Sequence, residues 1–165
     1  MYSLEQAIKL FQEVNKGWCC TDAQTPTSES IEYINKKLGA KLPSSLVHFV
    51  SSADKSSDWF AGLGEDYQHP THILNINKRF SKKRTKRRTG KWERDLPKNL
   101  IIINRCFDQD CNCIDLNSYD DTTGEYKIYY WHPNMSNSEI QESVNNSHQD
   151  FFDYISFMLR GWCNK

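Results

Sequence analysis

Cys106, Cys111 and Cys113 stand in a C-x4-C-x-C pattern, and closely spaced thiolates are residues from which zinc sites are built. A tetrahedral site needs four ligands, and no second clustered pair follows; Cys19-Cys20 and Cys163 lie far off in sequence. On a strand, Cys111 and Cys113 share a face by the period of two, which suits inward-packing small apolar side chains as well as chelation. No metal is expected. The five histidines, His48, His69, His72, His132 and His148, stand outside any Gly-x-Ser-x-Gly or His-Glu-x-x-His setting that would place a nucleophile beside a base or a metal. The acid pairs Asp108/Asp110 and Asp120/Asp121 fall between strand-like runs, where Asp serves turn chemistry. No Gly-rich loop leads into a helix to cradle phosphate. Neither catalysis nor a cofactor is expected, which leaves recognition.

Residues 79–95, RFSKKRTKRRTGKWERD, hold nine Lys or Arg in seventeen positions of a chain whose formal net charge is zero. With Glu93 and Asp95 set aside along with them, the remainder carries twelve basic and nineteen acidic residues, a balance of minus seven. Such charge segregation orients a protein toward a partner and speeds their encounter. Only Phe80 and Trp92 interrupt the run, so the interleaved aromatics on which single-stranded bases stack are missing. Like charges this close repel in a rigid element, which predicts a weakly ordered basic loop over 78–94. Lys82, Lys83, Arg84, Lys86, Arg87 and Arg88 are its candidate docking residues for an acidic protein patch, with nucleic acid the less favoured partner and a solvated loop without a partner the third reading. Most aromatics around the sheet are expected to be core, but aromatics beside acids form the other candidate surface: Trp59, Tyr67 and Trp131 with Asp108 and Asp110, the composition of binding hot spots. Alternation along KIYYW puts Tyr129 and Trp131 on one side and Tyr130 on the other.

The elements that position these residues follow from periodicity and caps. Ser3 and Gln6 form a capping box, and Leu4, Ala7, Ile8, Phe11 and Val14 then recur at helical spacing, predicting a helix over 4–15. Thr27 or Ser28 caps a second helix bearing Ile31, Ile34 and Leu38 and closed by Gly39. Leu42-Pro43 opens a third, with Leu46, Val47, Phe49 and Val50 on its apolar face. From Trp59 onward, WFAGLG, HILNIN, LIIIN, CNCIDL and YKIYYW read as five strands between loops rich in Asp, Asn and Gly. Ser147 as cap and Asp150 in the first turn open a last helix whose face is Phe151, Tyr154, Ile155 and Met158. Helices, then strands, then a helix predict an α+β fold: an antiparallel or mixed sheet flanked by helices. Leu46, Phe49, Ile102, Leu116, Phe151 and Ile155 are its expected core. A length of 165 residues with 38% hydrophobic content suits a single domain over 1–165. No apolar run approaches the ~20 residues of a membrane span, and MYSLEQAIKL lacks a basic-then-apolar leader pattern. A cytosolic location with reduced thiols is expected.

Three blocks resemble the Smi1/Knr4 (SUKH) superfamily. SIEYINKKLGAKLPSSLVHFV, residues 30–50, is similar to the family's opening, in which a helix ends in Leu-Gly, passes through Leu-Pro and enters a second helix. LPKNLIIINRCFDQDCNCIDL, residues 96–116, is similar to its central strand, turn and Asp-Leu strand. GEYKIYYWHP, residues 124–133, and DFFDYISFML, residues 150–159, resemble its closing strand and Phe-rich last helix. The chain departs from the pattern at Asn35, where members commonly carry an acid, at Ser51-Ser52, where they carry a Gly pair, and in the turn before Asp115. The resemblance implies an immunity protein that binds and occludes a cognate protein toxin, often one acting on nucleic acid. The alternatives are a nucleic-acid-binding regulator using 78–94 and a regulatory scaffold of the fungal kind.

Overall fold

The helical spacing at the start of the chain is realised as three helices in the computed structural model, which describes residues 3–14, 26–52, 72–81, 95–105 and 110–163. Helix α1, Leu4–Val14, opens on the expected box: Ser3 N–H donates to Gln6 Oε1 at 2.8 Å, and Gln6 N–H donates to Ser3 Oγ at 3.2 Å. Helix α2, Ser28–Leu38, is capped by Thr27 and closed by Gly39, whose φ of 71° is the left-handed conformation that a Cβ disfavours. Asn35, one of the departures from the family pattern, has a local task, since its Oδ1 accepts the Leu42 N–H at 2.9 Å and fixes the link into α3, Ser44–Ser52.

The cap of α3 comes from across the chain. Glu125 accepts from Ser45 N–H at 2.7 Å and from Ser45 Oγ at 2.8 Å, placing a carboxylate at a helix N-terminus where orphan donors and the dipole favour it. Gly124, at φ 72°, makes the close approach possible, because a Cβ there would collide with Ser44 Oγ.

Strands β1, Leu100–Arg105, β2, Cys111–Asp115, and β3, Ile128–Trp131, form an antiparallel sheet in the order β1-β2-β3. The described sheet therefore has three strands where five were expected. WFAGLG lies outside the described residues, and HILNIN is corrected to helix: it begins α4, His72–Ser81. The physical reason is periodic. Ile73, Ile76, Asn77 and Phe80 recur at helical spacing and are all buried, a pattern that six residues read as alternation cut short. A further helix, α5, Asn137–Asn145, falls where none was expected, and α6, Phe151–Cys163, closes the described chain. Asp150 rather than Ser147 caps α6, accepting from Asp153 N–H at 2.7 Å. Among the described residues no helix is long and apolar enough to cross a membrane.

Helices pack on both sheet faces. On one, Ile101, Ile103, Ile114 and Ile128 join Phe11, Phe49 and Phe151 from α1, α3 and α6, whose rings meet edge to face at 5.3 and 5.8 Å. On the other, Leu100, Ile102, Cys111, Cys113, Tyr129 and Trp131 meet Ile76 and Phe80 of α4. Of the expected core, Leu46, Phe49, Ile102, Phe151 and Ile155 are buried. Leu116 is only half-buried, because it starts the short 3-10 turn Leu116–Ser118 just after β2.

Asn77 joins α4 to the sheet edge. Its Nδ2 donates to Ile102 O and its Oδ1 accepts from Ile102 N–H, each at 2.9 Å, so one amide side chain pairs both backbone groups as a neighbouring strand would. Replacing Asn77 by Ala leaves those buried groups unpartnered, an expected loss of roughly 2–4 kcal/mol; Glu125→Ala, which removes only the cap, should cost about 1 kcal/mol. Denaturant midpoints measure both, and an Asn77→Ala midpoint equal to the parent's would show that this amide does not hold the edge.

Candidate functional site

Alternation along β3 sends Tyr129 and Trp131 into the α4 face and turns Tyr130 the other way. Tyr130 is 42% exposed, and its hydroxyl donates to Asp110 Oδ1 at 2.5 Å. Around it, β3, α5 and the first turns of α6 enclose an open cavity of about 640 Å³. The outer edge of β3 is strapped to the segment that carries α5. Ser143 Oγ donates to Tyr130 O, and Ile128 and His148 exchange backbone hydrogen bonds of 3.0 and 2.7 Å.

The walls are set by two helix starts. Ser136 and Glu139 form a complete capping box, and hydrogen bonds from the Ser136 side chain and then its backbone hold the Glu139 carboxyl below the usual range. The exposed Glu142 stands one turn on. Opposite, Asp153 lies 3.3 Å from His148 Nδ1, and the His148 ring packs against Tyr154 at 5.5 Å and Phe157 at 5.2 Å. Phe157 is 58% exposed although it belongs to a helix that buries Phe151, Tyr154, Ile155 and Leu159.

Among the described residues, no Lys or Arg lines the cavity. From residue 110 to residue 163 the sequence has nine Asp or Glu and two Lys or Arg. Aromatic rings, amides and carboxylates in an open, strapped cleft are equipped for recognition, apolar contact flanked by acceptors for cationic groups. Among the described residues no three His, Cys, Asp or Glu converge as metal ligands would.

Of the expected partner-binding residues, the structure brings only Asp110 to this cleft, through Tyr130. Trp131 is 1% exposed and packs edge to face on Phe80 at 5.9 Å, on the opposite side of the sheet; the aromatic that β3 shows to solvent is Tyr130. Trp59, Tyr67, Lys82, Lys83, Arg84, Lys86, Arg87, Arg88 and Asp108 lie outside the described residues. Sequence reading missed α5 and Phe157. Ser136-x-x-Glu139 is a capping-box signal for α5, and Phe157 is an apolar residue off the buried stripe of its helix.

The SMI1 / KNR4 family (SUKH-1) model matches residues 25–156, from just before α2 into α6. No curated protein and no solved structure matches the chain.

On the α4 face, Cys111 and Cys113 are buried thiols. Burial, and secondarily the neighbouring Cys111, pushes the Cys113 thiol well up, and burial does the same to the Tyr129 phenol. Both groups hold their protons in the folded chain at pH values where the unfolded chain has lost them. Their contribution to stability is thus complete below the ordinary thiol pKa of about 8.5 and declines as pH rises through it and through the ordinary phenol value of about 10. The denaturant midpoint should fall between pH 8 and pH 10.5, more gently in Cys113→Ala, and iodoacetamide should label Cys111 and Cys113 only as the protein unfolds. Identical pH slopes in parent and variant, or rapid native labelling, would count against this placement.

Proposed function

Because the chain belongs to the SMI1 / KNR4 family (SUKH-1), we propose that it is an immunity protein of the cytosol that binds a cognate protein toxin acting on nucleic acid and neutralises it by occlusion. The observation that carries this reading is the acidic, aromatic cleft between β3, α5 and α6, with no Lys or Arg among the described residues of its lining. A toxin that works on nucleic acid needs a cationic surface for phosphates. A fixed array of carboxylates and exposed rings competes for that surface, with electrostatics accelerating the encounter and desolvated aromatic contacts slowing dissociation. On this reading the chain turns nothing over. Inhibition is stoichiometric, complete at about one chain per toxin, whereas a catalytic antidote would act at far lower ratios.

The basic stretch at 78–94 favours a second reading, a nucleic-acid-binding or regulatory scaffold protein. The test uses the product of the gene adjacent to this chain's own as the candidate toxin. Co-expression should restore growth of a host that the toxin alone arrests, the two proteins should co-purify, and toxin activity should titrate to zero near equivalence. Toxin activity that persists at excess of this chain would sink the proposal. Steeply salt-dependent affinity of the chain alone for DNA or RNA would support the second reading instead.

A further inference from the structure

The cleft has a definite chemical preference, and we infer that its occupant is a cationic segment of a partner protein, with one apolar side chain seated on Phe157 and Tyr130 and flanking Lys or Arg meeting Glu142 and Glu139. This deepens the proposed function by assigning the toxin's contact chemistry and place of binding, and it rests on that reading for the identity of the partner.

Three observations converge. Phe157 is 58% exposed and Tyr130 42% exposed, and they line the same cavity; two large, part-exposed rings at one place form the hydrophobic centre that an interface needs. Among the described residues, the acidic side chains that line the cavity are Glu139 and Glu142, with Asp153 beside the lining His148, and such a lining favours an ammonium or guanidinium over a phosphate-bearing ligand. Arg adds stacking on exposed rings to its pairing with carboxylates. Finally, the cleft is built before anything binds. Its floor is tied by the Ile128–His148 backbone pair and the Ser143–Tyr130 contact, and one wall is set by the Ser136–Glu139 box, which lowers the ordering cost of association. A volume of about 640 Å³ accommodates a few side chains of an extended segment.

The test needs no knowledge of the toxin. Two capped peptides, Lys-Arg-Phe-Lys-Arg and Glu-Asp-Phe-Glu-Asp, are titrated into the full chain while backbone amide resonances are followed. The cationic peptide should shift the resonances of Tyr130, Glu142, His148 and Phe157 saturably, and its affinity should weaken with added salt. Phe157→Ala and Glu142→Lys, both at exposed positions, should each weaken it about tenfold with circular dichroism unchanged. The assignment is overturned if neither peptide shifts these resonances, if both do so equally, or if the two variants bind like the parent. It is likewise overturned if the same resonances shift with protein concentration alone, because the occupant is then a second copy of this chain. The toxin separates the two proposals. Neutralisation by parent and variants alike would leave the immunity reading standing and remove the cleft from it; peptide binding by a chain that fails to neutralise the toxin would do the reverse.

Discussion

The amide of Asn77 satisfies both backbone groups of Ile102 at the edge of β1, and the arrangement of the other layers depends on that contact. An edge strand presents unpaired donors and acceptors that invite another chain. Here a helix side chain supplies them, so α4 can lie against the sheet with Ile76 and Phe80 buried while the strand finds no neighbour needed at that position. The far edge is handled the same way. Ser143 reaches Tyr130 O, and His148 pairs with Ile128. Three strands are thereby closed at both sides by elements that also carry apolar faces, and the same straps that blunt the β3 edge shape the cleft beside it.

A second polar contact sets how α6 meets the sheet. The register of β1 shifts between Ile102 and Asn104, an irregularity of the kind that redirects a side chain. Asn104 consequently faces α6 and donates to the Tyr154 hydroxyl at 3.0 Å within the core. Buried hydrogen bonds of this kind are directional where hydrophobic contacts are not. They select one rotation of α6, the one that seals Phe151 and Leu159 and leaves Phe157 at the cleft.

Local signals were legible where they had local causes. The Ser3–Gln6 box, the Thr27 cap, Gly39 and the alternation of Tyr129, Tyr130 and Trp131 all depend on residues a few positions apart, and each appears as read. HILNIN was misread because six residues fit a short strand as well as a helix, and the helical spacing of Ile73, Ile76, Asn77 and Phe80 shows only when the window runs on to Phe80. The Glu125 cap and the placement of Asp110 under Tyr130 are non-local. Trp131 illustrates the limit for the site: period two assigned its side of the strand correctly but not which side α4 covers. The cleft itself is assembled from β3, α5 and α6, and no single stretch of sequence spells it out.

The carboxylate that caps α3 lies 80 residues further along the chain, and this separation bears on the order of folding events. A helix of nine residues is marginal on its own, and α3 receives no help from Glu125 until the intervening chain has closed, an entropic cost that grows with the logarithm of loop length. Elements stabilised only after such a closure contribute little to the early nucleus and mostly slow the reverse reaction. The loop carrying Gly124 and Glu125 is therefore expected to act as a latch set late, contributing to the lifetime of the native state more than to the speed of reaching it.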